Sequence, residues 1–140
     1  MHRYRRLVLL ALTMSAPAAE AHHSISGVYD SRERTTVTGI VTEFRFVPPH
    51  AFLIISVEDD SAEPELWQLE MDNRFELVQI GMTEHTFATG DEVVAIGYPA
   101  RTEAHRLYLR RLDRPADGFR YEQIGSRPRI SAGRDEDGVR

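Results

Sequence analysis

Residues 35–47 read Thr-Thr-Val-Thr-Gly-Ile-Val-Thr-Glu-Phe-Arg-Phe-Val. β-branched and aromatic side chains fill this run, as they do in strands, where they pack across a pleated surface. The alternation changes phase along the way: Val37 falls in one parity, while Ile40, Phe44 and Phe46 fall in the other. A β-bulge or sharp bend at Gly39 would reconcile the two halves. A strand this long and this bent suits a strongly coiled barrel better than a flat sheet.

Outward from that strand, Pro48-Pro49 ends it, because proline supplies no ladder donor. His50 follows, and a second strand covers Ala51 to Glu58. Residues 59–64, Asp-Asp-Ser-Ala-Glu-Pro, form a polar turn. The third strand runs from about Leu66 to Met71, with Trp67 and Leu69 on one face. Asp72 or Asn73 is placed as a helix N-cap. Phe75, Leu77, Val78 and Ile80 then recur at nearly helical spacing, and Gly81 stands where a glycine stops a helix. Thr89-Gly90-Asp91 turns into a fourth strand, Glu92 to Tyr98, which Pro99 ends. A fifth strand spans Ala104 to Leu112 around Leu107, Leu109 and Leu112, and Phe119 and Tyr121 close the domain as a last turn or short strand. The expected fold is mainly β: a five-stranded OB-fold-like barrel with one short helix between strands 3 and 4. The competing architecture is an open α+β sheet with the helix on one face.

The ends of the chain read differently. Basic His2, Arg3, Arg5 and Arg6 precede an apolar run from Leu7 to Leu12, and Pro17 and Ala19-Glu20-Ala21 follow. Charged, then apolar, then small is the layout of a secretory signal peptide, expected here over residues 1–21 with a cut near Ala21. The apolar core is far shorter than the ~20 residues of a permanent bilayer span. Arg5-Arg6 also permits a twin-arginine route. Residues 22–34 are expected as an N-terminal arm, 35–122 as the barrel domain and 123–140 as a disordered tail. The location this implies is periplasmic or secreted.

Setting residues 1–21 aside removes three arginines and one glutamate, leaving 14 arginines against 21 acidic residues, a net charge of −7. That is a poor match for phosphate backbones or anionic membranes, which reward clustered positive charge. Nucleic acid is accordingly not an expected partner. With no cysteine in the chain, disulfides, thiol catalysis and thiolate metal sites are excluded.

Several short motifs recur in a fixed order: His22-His23-Ser24, Val37-x-Gly39-x-Val41, Pro49-His50, Trp67-x-x-Glu70, Gly81-x-Thr83 and Gly90-Asp91-x-Val93. Together the chain resembles the small periplasmic proteins of domain-of-unknown-function family 6152 over about residues 22–113. It departs from that pattern at Pro48, where the family usually has Asn, at Met71-Asp72-Asn73, where it has a Gly-rich segment, and at Met82, where it has Trp. The resemblance implies a fold and a compartment and brings no activity with it.

Among the six histidines, His22, His23 and His50 stand out. Cutting after Ala21 turns His22 into a free N-terminus whose amine and imidazole suit Cu²⁺, and His23 offers a second chelation mode. His50, held after Pro48-Pro49, supplies a further nitrogen, in the manner of a histidine brace. Glu43, Glu70 and Asp72 are possible oxygen ligands. His85 and His105 read as exposed polar residues. Ser24, Ser26, Ser56 and Ser61 lack a nucleophile-elbow setting, and no catalytic residue is singled out. Trp67, Tyr98, Tyr108, Phe44 and Phe46 read as core, with a stacking face as the rival. Arg106, Arg110 and Arg111 form a local basic stretch that acids elsewhere can neutralise. The expected role is a non-enzymatic binding or accessory module, with copper as the candidate ligand. The rivals are an adaptor for a peptide or envelope protein, and an enzyme with an N-terminal copper site. If the leader is cut as expected, intact-mass spectrometry of the exported protein gives a chain beginning at His22, and a mass that still includes Met1 overturns the assignment.

Overall fold

A computed structural model describes residues 25–58 and 63–132; residues 1–24, which include the expected signal peptide, His22, His23 and Ser24, and residues 59–62 and 133–140 lie outside the described residues. A short helix α1 (Ile25–Val28) precedes β1 (Thr35–Arg45), β2 (His50–Val57), β3 (Glu65–Asn73), helix α2 (Arg74–Gln79), β4 (Glu92–Pro99), β5 (Arg106–Arg114), β6 (Phe119–Ile124) and β7 (Arg127–Ser131). The strands are ordered β3-β2-β1-β4-β5-β6-β7, and β3 also pairs with β5. That extra pairing is parallel, Gln68–Glu70 against Arg106–Tyr108. It closes β1 to β5 into the expected OB-fold-like barrel, with α2 between β3 and β4.

Closure without edges demands strong coiling, and the phase change in β1 answers it. Val37, Gly39 and Val41 point inward in one parity. The register against β2 then slips between Val41 and Glu43, after which Phe44 and Phe46 turn toward the core. The bulge is therefore at Thr42 and not at Gly39, and Ile40 faces solvent instead of sharing the core with Phe44 and Phe46. Gly39 serves a different purpose, because a Cβ there would lie 2.6 Å from the backbone oxygen of Ser56. Gly97 is the matching point on β4, where a Cβ would lie 2.4 Å from the backbone oxygen of Tyr108. At both positions neighbouring backbone comes too close for a side chain.

The interior is filled from every strand of the barrel. Val41, Ala51, Leu53, Ile55, Leu69, Met71, Val93, Ala95, Leu107, Leu109 and Leu112 are fully buried. Each large aliphatic side chain so buried contributes about 1.5–3 kcal/mol relative to exposure. Leu77 and Met82 close the floor. Helix α2 begins where Asn73 accepts a hydrogen bond from the Phe75 amide at 2.8 Å. It ends in a Schellman turn: Gly81 N–H donates to Val78 and Met82 N–H to Leu77, with Gly81 at φ 95°. Of the aromatics expected in the core, Tyr108 and Phe46 are buried and Phe44 and Trp67 pack against it, whereas Tyr98 lies outside, flanked by Arg34 and Arg110.

The expected tail is corrected in part. Composition predicts disorder from residue 123 onward, yet β6 runs to Ile124 and β7 covers Arg127–Ser131. The reason is local: Gly125, at φ 62°, lets the chain reverse through Gly125-Ser126, and Ile124 pairs with Arg127 across the hairpin. Ile130 then packs against the core. One apolar anchor and a ladder suffice where composition alone reads as disorder. Gly97→Ala, ordinarily favourable in a strand, is expected to lower stability by about 1–3 kcal/mol because backbone rather than a movable side chain opposes the new methyl; a urea midpoint equal to that of the parent chain would contradict the close approach.

Candidate functional site

One end of the barrel gathers polar side chains from four distant parts of the chain. Glu70 lies on the outward parity of β3, opposite Phe52 of β2 and level with Tyr108 of β5, so it sits at the β3–β5 seam. Its side chain is only 13% exposed. A carboxylate this enclosed needs donors. His50, first residue of β2, places Nδ1 2.7 Å from Glu70 Oε1. Arg106, first residue of β5, donates from Nη2 to Oε2 at 2.9 Å. The Tyr29 hydroxyl also donates to Oε2, and accepts from Arg106 Nε at 2.8 Å. Glu103 holds the remaining side of Arg106 at 2.8 Å.

Tyr29 reaches this point because the N-terminal arm is docked. Tyr29 bridges to Ala100, Asp30 N–H donates to Pro99, and Arg101 N–H donates to Val28. Arg101 also pairs with Asp30 at 3.1 Å. The tyrosine ring is 2% exposed and packs on Tyr108 at 5.6 Å. The cluster thus lies between the β1–β2 turn, which holds Pro48-Pro49, and the β4–β5 loop. In OB-fold barrels those two loops flank the ligand site.

The electrostatics follow from this enclosure. Burial alone would push the Glu70 carboxyl up, but the bonds from Tyr29, Arg106 and His50 outweigh it and hold it below the ordinary value. Burial, followed by the Glu70 carboxylate it donates to, pushes the Tyr29 hydroxyl up. Burial also raises Tyr108 to about 12. Next to the cluster, Asp72 accepts from Gln123 Nε2, which is also 2.8 Å from the Tyr108 hydroxyl. Glu76 of α2 is raised by burial and then by the charge and hydrogen bond of Asp72.

The candidate residues separate clearly. His50 and Glu70 are brought together, and Asp72 lies one outward position along β3. Glu43 is engaged by Arg45 instead, at 2.7 Å. His22 and His23 lie outside the described residues. His85 is exposed, as expected, while His105 is tied to Glu65 at 3.0 Å and packs on Trp67 at 5.1 Å. The basic stretch is dispersed: Arg106 serves Glu70, Arg110 caps carbonyls of Gln123 and Gly125, and Arg111 pairs with Asp113. Tyr29, Glu103 and Gln123 do not stand out in the sequence, and no motif there marks them. Among the described residues no group of three or more His, Asp or Glu converges as a metal cage.

The model of domain-of-unknown-function family 6152 matches residues 10–108. The chain belongs to that family. No curated protein and no solved structure matches it. In this family 6152 chain the matched span takes in Tyr29, His50, Glu70 and Arg106, the whole of the network, and stops before β6 and β7.

The sign of the pH dependence comes from Glu70. Because its folded pKa is depressed, its contribution is present above the unfolded value of ~4.3 and is lost as pH falls through the lower folded value. Glu70→Gln is expected to cost about 2 kcal/mol at neutral pH, through the loss of charge-assisted bonds. It should also flatten the fall in stability below pH ~4. Urea unfolding followed by Trp67 fluorescence across that range checks both, and parallel pH profiles for the two proteins would contradict the assignment.

Proposed function

We propose that this protein is an exported binding module of the cell envelope that holds a single copper ion between its processed N-terminus and His50. The observation that carries the proposal is the shared carboxylate: Glu70 receives both His50 Nδ1 and the hydroxyl of Tyr29, the residue that pins the N-terminal arm. With Nδ1 committed to Glu70, Nε2 is the ring nitrogen left to serve a ligand. A carboxylate behind a metal-binding imidazole fixes its orientation and raises its basicity.

The remaining donors must come from beyond the described residues, since no cage forms among those described. The chain length supports that source. Only His22, His23 and Ser24 precede Ile25 once the leader is cut, a span of at most ~10 Å when extended, and Ile25 is one short helix from Tyr29. A free amine and imidazole at His22, with His23 as alternative, would complete a nitrogen-rich set of the kind copper prefers. Export and cleavage at Ala21 belong to the same proposal, because only cleavage creates the amine. Among the described residues no helix is long and apolar enough to cross a membrane.

Calorimetric titration of Cu²⁺ into the processed chain tests the two-part site. One equivalent is expected to bind, with at least tenfold weaker affinity after His50→Ala or after one glycine is added ahead of His22. Equal binding by the parent chain and both variants would overturn it.

A further inference from the structure

At the opposite end of the barrel from His50, the outer face carries a different chemistry. The strand register aligns Glu92 of β4, Ile40 of β1, Ser56 of β2 and Leu66 of β3 in one row across four strands. Ile40 is 43% and Leu66 62% exposed. With strands spaced ~4.8 Å apart, the two apolar side chains stand about 10 Å from one another across Ser56. Half-buried Ile54 is the next outward residue on β2, opposite Gln68. Glu58 follows directly after the end of β2, next to Val57, which packs against the core, and it is exposed like Glu92.

The charge here is unbalanced. Seven carboxylates of the domain, Asp30, Glu43, Glu70, Asp91, Glu103, Asp113 and Asp117, each meet an arginine. Among the described residues Glu58 and Glu92 meet none. Two exposed aliphatic side chains with two uncompensated carboxylates beside them form a surface that a cationic, apolar segment complements. A second copy of this chain would bring glutamates against glutamates, and phosphate-bearing surfaces would be repelled.

We propose that this row is the docking face for a segment of a partner protein that presents apolar side chains together with lysine or arginine on one and the same side. The apolar side chains seat on Ile40 and Leu66, and the cations meet Glu58 and Glu92. This surface is separate from the His50 end, so docking requires neither copper nor a processed N-terminus.

The test uses the full mature chain, labelled with ¹⁵N, and three capped synthetic nonapeptides with serine at every second position and, at the positions between, lysine and valine (lysine–valine), glutamate and valine (glutamate–valine) or lysine and serine (lysine–serine). Only lysine–valine is expected to shift the amide signals of Ile40, Ser56, Leu66 and Glu92 saturably. Leu66→Ser is expected to weaken that binding at least tenfold, and Glu58→Gln with Glu92→Gln several-fold, with a smaller dependence on salt. Both changes are at exposed positions, and the unperturbed remainder of each spectrum checks the fold. Equal binding of glutamate–valine, equal binding of lysine–serine, or shifts confined to the residues around His50 would each overturn the proposal.

Discussion

A carboxylate enclosed at the seam of a closed barrel must find its hydrogen-bond donors or forfeit several kcal/mol, and much of this molecule is arranged around meeting that demand at Glu70. Its three donors come from the N-terminal arm, the start of β2 and the start of β5. Pairing β3 with β5, docking Tyr29 and orienting His50 are therefore coupled through one side chain. Removing any donor leaves the others around an undersatisfied charge, so the network acts as a unit. Arg106 is the hinge of this arrangement, since it serves Glu70, Tyr29 and Glu103 together.

The barrel that carries this seam is closed by absences as much as by contacts. Gly39 and Gly97 remove Cβ atoms where backbone crosses backbone, and the slip between Val41 and Glu43 turns the end of β1 back toward the core. Beyond the span shared with family 6152, β6 and β7 extend the sheet from β5. They contribute Gln123, which joins Asp72 to Tyr108 directly behind the seam. The hairpin thus supports the polar cluster from outside the shared domain.

The two ends of the barrel are chemically distinct. One gathers imidazole, carboxylate, phenol and guanidinium between two loops, with the N-terminal arm pinned beside them. The other presents Ile40 and Leu66 beside unpaired glutamates.

Much of the fold is legible in local pattern. Strand content, the helix between β3 and β4, its stop at Gly81 and the break at Pro48-Pro49 all follow from periodicity and backbone chemistry, which act over a few residues. His50 and Glu70 stand out as residue types in short motifs. The position of the bulge is not legible, because Ile40 has the composition of a core residue but the parity of the surface. Nor is the hairpin of β6 and β7, because a single anchor, Ile130, stabilises an otherwise polar stretch. What only the tertiary structure decided was the partnership at Glu70. Its contacts link residues from 20 to 41 positions apart, and nothing in a local pattern records which distant side chains a closing barrel will bring face to face.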